Sequence, residues 1–195
     1  MPLAVPISPM QAWAFTALSL LFLWFLFRAA ARKTRESGGR SDRRSRFGII
    51  LQSIGIGLAC FGPVRPTVPS LSLAGVSATL LVALLAGGTI ALFAASSRAL
   101  GKNWSLVART RSDHELVREG PYGWVRHPIY LGMLLFLLGL AVAWGHWLQL
   151  VLAVPVFLVG TVVRIRLEEA LLHQNFGRAF EEYRLSTPAL IPRVI

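Results

Sequence analysis

The sequence predicts an all-α integral membrane protein with five transmembrane helices. Three observations predict this class: five long apolar runs, a composition that is 54% hydrophobic and only 15% charged, and the grouping of the charges between alternate runs. An ordinary soluble domain is about 25% charged. A chain this apolar would expose large apolar patches to water, so lipid is its expected solvent.

The five apolar runs have the lengths expected of membrane spans. Roughly 20 apolar residues in a helix cross the ~30 Å hydrocarbon core of a bilayer. Only Gly145 and His146 separate the last two runs, which predicts a tight antiparallel helical hairpin. The predicted spans are Ala12–Phe27, Phe47–Gly62, Leu71–Ser97, Pro128–Trp144 and Trp147–Val163.

The basic residues predict how these spans are oriented. Of the 20 Lys and Arg, 19 fall in segments 28–46, 98–126 and 164–195, which five spans place on one side, and Arg65 is the exception. Cytoplasmic loops carry the excess of Lys and Arg. The N-terminus is therefore predicted outside and the C-terminus in the cytoplasm, with bacterial inner membrane as the expected location. The net charge of +11 then points to membrane lipids rather than to nucleic acid.

Small residues in spans two and three predict close helix packing. Cys60 is the only cysteine, so no intrachain disulfide and no metal site is predicted. Residues 1–195 are expected to form one membrane domain, with three spans in 1–99. The small residues are Gly55, Gly57, Gly62, Ala86, Gly87, Gly88 and Ala91.

The stretch GPYGWVRHPIYLG, from Gly120 to Gly132, places polar residues where the fourth span begins. Pro128 suits the first position of a helix. The free backbone N–H groups of that turn, beside Arg126 and His127, predict a corner that attracts anions. Each residue also has an ordinary structural interpretation: Arg126 as an interfacial arginine, the aromatic residues as a membrane-interface belt, and His127 as an N-cap.

A second cluster follows the fifth span. Arg164 and Glu168 fall on one helical face, with Glu169 adjacent. An i,i+4 ion pair would contribute only about a few tenths of a kcal/mol, whereas an ionisable residue at the membrane boundary is a candidate for function. The apolar residues that follow predict a C-terminal amphipathic helix. They are Leu171, Leu172, Phe176, Phe180 and Tyr183.

The predicted hairpin makes the start of span four a neighbour of the end of span five. The two clusters are therefore expected to enclose one pocket on the cytoplasmic rim, with aromatic walls, carboxylates and access from the lipid.

These residues carry a resemblance to a known family. LGKNWS…HELVREGPYGWVRHPIYLG, followed by RIRLEEALLHQNFGRAFEEY…LIP, resembles the integral-membrane methyltransferases, which include isoprenylcysteine carboxyl methyltransferase and the phospholipid N-methyltransferases. The resemblance covers Leu100 to Pro192 and makes residues 100–195 the expected cofactor-binding methyltransferase core. It implies S-adenosylmethionine as cofactor, and the sequence indeed lacks the glycine-rich strand-to-helix loop of a Rossmann domain.

The resemblance also implies roles for individual residues. Arg164 would orient the substrate, and Arg164 and Glu168 are the predicted catalytic residues. Phe180 stands where the family often has tyrosine, so a hydroxyl role is lost there, whereas Tyr183 keeps the second aromatic position. The predicted cofactor-binding residues are His114, Glu115, Leu116, Val117, Tyr122, Arg126, His127, Pro128, Ile129, Tyr130, Glu168 and Glu169.

The predicted function is methylation of a carboxylate on a lipophilic acceptor, prenylated or lipid, that enters from the bilayer. A carboxylate nucleophile needs no base, only an arginine to aim it. A second candidate is a phospholipid or small-amine or thiol methyltransferase, which needs a base such as Glu168, Glu169 or His127. An NADPH-dependent reductase related to the sterol reductases is a third candidate function, and a non-enzymatic membrane scaffold is the fourth.

Overall fold

The computed structural model describes residues 5–31, 43–101 and 115–191. All regular structure in these ranges is helical, which confirms the all-α part of the predicted class for the described residues. A 3-10 helix at Gly120–Gly123 precedes α4. The α-helices are α1 (Pro9–Ala31), α2 (Arg43–Cys60), α3 (Leu73–Leu100), α4 (Pro128–Trp144), α5 (Leu150–Phe176) and α6 (Arg178–Ser186).

Within the described residues, three helices, α1, α3 and α5, are long and apolar enough to cross a membrane. The apolar part of α2 (Ser45–Cys60) and α4 form shorter apolar helices. Large side chains on α1 face outward, with Trp13 73% and Phe27 71% exposed, as lipid-facing residues would be. Five spans with the N-terminus outside stay a prediction.

The ends of α4 follow from two residues. Pro128 begins the helix, as predicted. Gly145 ends it in the left-handed conformation with φ 74°, and a Cβ there would collide with the carbonyl oxygen of Val5. Only glycine fits this position. The predicted two-residue connection is wrong, because α5 begins at Leu150 rather than Trp147.

Helix pairing differs from what the short connection suggested. α5 packs mainly along α2, and α3 packs against α1 and α4. Phe15, Val82, Leu137 and Phe157 are among the buried residues of the apolar core. α4 and α5 are antiparallel but touch each other little along their lengths, which leaves space between them.

Glycines bring α2 and α5 into close contact. A Cβ on Gly55 would lie 2.8 Å from the carbonyl oxygen of Ala153, and one on Gly160 would lie 2.7 Å from that of Gly48. Close packing at Gly55 was predicted, whereas Gly48 and Gly160 were missed. Gly57 and Gly87 were wrongly included, because a Cβ on either would meet no atom within 4 Å.

The predicted C-terminal amphipathic helix is divided. Leu171, Leu172 and Phe176 belong to α5, which continues past the apolar run as far as Phe176. Gly177, with φ 49°, then breaks the chain direction, and α6 buries only Phe180 and Tyr183.

The glycine contact predicts opposite effects for two matched substitutions. Gly160→Ala should lower the free energy of unfolding by about 1–3 kcal/mol, because the added methyl group forces two backbones apart. Gly57→Ala should be neutral or stabilising, since its methyl group enters open space and alanine favours the helix. Thermal unfolding of both variants in detergent tests this, and equal midpoints for the two would contradict the packing described.

Candidate functional site: a charged cavity between α4 and α5

A cavity of about 400 Å³ lies where α4 and α5 spread apart. Ligand pockets commonly measure about 300–1,000 Å³. The cavity wall is mixed: charged and hydroxyl-bearing side chains come from α4, α5 and the segment before α4, whereas α1 and α2 supply mostly apolar ones. Phe22, Ile49, Ile56 and Phe136 are examples of the apolar wall.

The chain near its C-terminus holds the start of α4 in place. The backbone N–H groups of Arg126 and His127 donate to the carbonyl oxygens of Pro188 and Ala189, each at 2.9 Å. The N–H of Tyr130 donates to the carbonyl oxygen of His127 at 3.1 Å. In the first turn of α4, the N–H groups of Tyr130 and Leu131 both donate to the carbonyl oxygen of His127, so for these two groups the predicted corner of free N–H groups is wrong.

Side chains of Glu168 and Glu169, rather than an external anion, meet these basic residues. Nε and Nη2 of Arg126 each lie 2.8 Å from Oε1 of Glu169. His127 lies between the two carboxylates, with Nε2 3.1 Å from Glu169 Oε1 and Nδ1 3.6 Å from Glu168 Oε2. The start of α4 thus lies beside the part of α5 that follows its apolar run, as predicted, and ion pairs that were not predicted join the two.

Those two carboxylates set the charge of His127. Burial by itself would lower the pKa of the imidazole, but the hydrogen bonds and negative charges of Glu168 and Glu169 outweigh it and raise the pKa above its ordinary value. The charged form of the ring can donate from both nitrogens, one toward each carboxylate.

Arg164 is buried beside the same carboxylate. Its exposure is only 8%, its Nη2 lies 3.7 Å from Glu168 Oε1, and its guanidinium carbon lies 4.9 Å from the centre of the Tyr130 ring. The Tyr130 hydroxyl donates to Glu168 Oε1. Arg164 also donates from Nη1 to Oε1 of Gln52 at 3.0 Å, so it belongs to a network that spans three helices rather than to an isolated i,i+4 pair.

Tyr183 ties α6 to the segment before α4. Its hydroxyl donates to the carbonyl oxygen of Tyr122 at 2.6 Å, and its ring lies under the Arg118 guanidinium at 5.5 Å. Burial raises the pKa of Tyr183 to about 12, so the hydroxyl stays a donor at neutral pH. Phe180 packs edge-on against this ring at 6.4 Å.

Most of the predicted site residues lie on the wall of the cavity. Pro128 is buried and Glu169 contacts Arg126 and His127, but neither lines the cavity. His114 lies outside the described residues. The predicted residues that line the cavity are Glu115, Leu116, Val117, Tyr122, Arg126, His127, Ile129, Tyr130, Arg164 and Glu168.

Other residues of the wall were not predicted. Gln52 and Ser53 come from α2, and Asn175 comes from the last turns of α5. A single glutamine within an otherwise apolar span was the one available signal at α2, because burying an amide in lipid or protein is costly unless it is hydrogen-bonded.

A model of the family described as phospholipid methyltransferase matches residues 76–179, which is more than half of the chain. The chain belongs to the phospholipid methyltransferase family. The match covers nearly all of α3 and the whole of α4 and α5, including Arg126, His127, Arg164 and both glutamates, and α1 and α2 lie outside it.

Curated relatives match about half of this chain. A protein-S-isoprenylcysteine O-methyltransferase of Schizosaccharomyces pombe is 38% identical over 96 residues, 48% of this chain and 41% of the relative. The protein of the same name from Saccharomyces cerevisiae is 35% identical over 94 residues, 47% and 39% of the two chains. The nickel-cobalt-cadmium resistance protein NccN of Alcaligenes xylosoxydans xylosoxydans is 36% identical over 108 residues, 54% and 50%. The matches thus span half or less of these relatives' lengths.

The raised pKa of His127 predicts a pH-dependent contribution to stability. For a group whose pKa is higher in the folded state, this contribution is complete below the unfolded pKa, about 6.5, and is lost as pH rises through the folded pKa. The stability difference between wild type and His127→Gln should therefore shrink as pH rises from about 6 to about 9. Thermal unfolding in detergent measures it, with His173→Gln on the exposed face of α5 as control. A difference that stays constant over this range would contradict the charge assigned to His127.

Proposed function

We propose that this chain is a membrane-embedded, S-adenosylmethionine-dependent methyltransferase that methylates the carboxylate of a lipophilic acceptor. The observation that carries the proposal is the cavity in which charged side chains of α4 and α5 face apolar side chains of α1 and α2. A polar cofactor and a lipophilic acceptor require such a mixed site. Membership of a methyltransferase family supports methyl transfer, and relatives named as O-methyltransferases support an oxygen atom as its acceptor.

The polar end of the cavity suits S-adenosylmethionine. A carboxylate has about four acceptor positions, and beside its contacts to Tyr130, His127 and Arg164 Glu168 keeps capacity for one further amino or hydroxyl group. The ring of Tyr122 lines the cavity, and an aromatic ring can stack with a purine. We assign cofactor binding to Glu115, Leu116, Val117, Tyr122, Arg126, His127, Ile129, Tyr130 and Glu168, and supporting roles to His114, Pro128 and Glu169.

In this scheme the protein mainly aligns the reactants and excludes water. When bound, S-adenosylmethionine would supply a methyl group attached to a positively charged sulfonium sulfur, and the neutral thioether S-adenosylhomocysteine would be the leaving group. Arg164 orients the acceptor's carboxylate, and Glu168 holds the cofactor from the next helical turn. The carboxylate is already ionised, so no residue has to remove a proton. Alignment and desolvation by the apolar walls then account for catalysis.

An amine or thiol acceptor, as in a phospholipid methyltransferase, is the second candidate, and the description of the matched family favours it. Such a nucleophile must first lose a proton. Glu168 is the carboxylate on α5 that lines the cavity, because Glu169 is paired with Arg126 and His127. The presence of buried Arg164 at the cavity makes the carboxylate acceptor the leading candidate. The family match favours methyl transfer over the NADPH-dependent reductase and the scaffold.

We place the acceptor's entry in the bilayer and the site on the cytoplasmic side of a bacterial inner membrane. The apolar wall from α1 and α2 supports entry from lipid. The grouping of basic residues in alternate segments supports the side.

Cofactor binding tests the proposal. Wild-type protein in detergent should bind S-adenosylhomocysteine in isothermal titration. Glu168→Ala and His127→Ala should each weaken binding at least about tenfold, since a hydrogen bond to a charged group contributes roughly 1.5–3 kcal/mol.

Two matched controls separate this effect from a general loss of charge. Glu182→Ala removes an exposed carboxylate of α6, and His173→Ala removes an exposed imidazole of α5. Both should bind like the wild type. Absence of binding to wild-type protein up to millimolar ligand would overturn the proposed function.

A further inference from the structure

Gln52 is a buried amide on α2, outside the residues that match the family. It is 1% exposed and lies where the glycines bring α2 close to α5. Its Oε1 accepts a hydrogen bond from Nη1 of Arg164 at 3.0 Å, and its Nε2 donates to Oγ1 of Thr161 at 2.9 Å. Both ends of the amide are therefore satisfied by α5.

Thr161 fixes which way the amide points. Its hydroxyl proton is donated to the carbonyl oxygen of Phe157 at 2.9 Å. The Thr161 oxygen can then only accept from Gln52, so the amide nitrogen must face Thr161 and the amide oxygen must face Arg164. Each hydrogen bond in this chain therefore has a fixed direction, and the amide oxygen of Gln52 is held as an acceptor facing the Arg164 guanidinium.

Gly48 leaves room for the stem of the same arginine. A Cβ on Gly48 would lie 2.5 Å from Cγ of Arg164. α2 thus encloses Arg164 through a bare backbone at Gly48 and a fixed amide one turn later at Gln52. On its other side the guanidinium contacts the Tyr130 ring and faces Glu168.

We propose that Gln52 is a positioning residue that directs Arg164 into the cavity and favours an anionic acceptor; this rests on the proposed function. A neutral amide holds the guanidinium without neutralising it. A carboxylate in the same place would put a second anion beside Arg164, in addition to Glu168, and would weaken the attraction for an acceptor carboxylate. Gln52 and Ser53 line the cavity, so α2 contributes to acceptor selection as well as to packing.

Kinetics of the purified full chain test this assignment. The acceptor is a farnesyl-thiol carboxylic acid, and radiolabelled S-adenosylmethionine is the donor. Gln52→Glu and Gln52→Leu should each raise KM for the acid at least about tenfold, because the hydrogen bond to the charged arginine is lost or its charge is offset. Kd for S-adenosylhomocysteine should change less than about twofold, since the cofactor residues are not altered.

Gln11→Leu is the matched control. Gln11 is also a buried glutamine, 4% exposed, and it donates to the carbonyl oxygen of Val142 away from the cavity. Its removal should lower thermal stability without changing KM for the acid. If KM rises equally in Gln11→Leu, or stays at the wild-type value in both Gln52 variants, the assignment is overturned.

A second measurement needs no activity. In a double-mutant cycle, Gln52→Leu and Arg164→Met should shift the thermal midpoint non-additively, because each removes the other's partner. Gln52→Leu with Gln11→Leu should be additive. If wild-type protein neither binds S-adenosylhomocysteine nor methylates the acid, the proposed function is overturned, and so is the role of Gln52 in selecting an anionic acceptor. The pairing of Gln52 with Arg164 is then judged by the cycle alone, where additive shifts would overturn it.

Discussion

The structure depends on keeping two neighbouring carboxylates of α5 charged where the apolar run of this helix ends. Glu168 and Glu169 lie on α5, largely out of water, and are surrounded by Arg126, His127 and Arg164. An unpaired buried charge is strongly destabilising. The start of α4 must therefore lie beside this part of α5. Carbonyl groups of the chain beyond α6 hold it there by accepting hydrogen bonds from the N–H groups of Arg126 and His127.

The packing of α2 against α5 positions this charged cluster. Close contact at Gly55 and Gly160 allows α2 to run along α5. That contact brings the Gln52 amide within hydrogen-bonding distance of Arg164. Because α5 packs on α2 rather than on α4, space remains between α4 and α5, and the charged cluster forms one end of it. The packing of α5 on α2 thus explains why the cavity exists, and the ion pairs between α4 and α5 explain why one end of it is polar.

Sequence reasoning predicted what local patterns determine. Pro128 and the end of the apolar run at Trp144 gave both bounds of α4, and the paired motifs led to the charged cluster. It could not predict long-range partners: the carbonyl groups of Pro188 and Ala189 accept the N–H groups of Arg126 and His127, and no pattern in the sequence connects these residues. Gln52 was missed because no spacing links it to Arg164, 112 positions away. The continuation of α5 to Phe176 was missed because hydropathy falls where the helix does not end.

The most direct measurement is a double-mutant cycle on Arg126 and Glu169, the ion pair that joins the start of α4 to α5. Arg126→Gln and Glu169→Gln each remove one charge while retaining a similar side chain, and the four proteins are compared by thermal unfolding in detergent. The account predicts a coupling free energy of about 1–3 kcal/mol between the two positions. Additive effects, within about 0.5 kcal/mol, would mean that this pair does not hold the start of α4 against the end of α5.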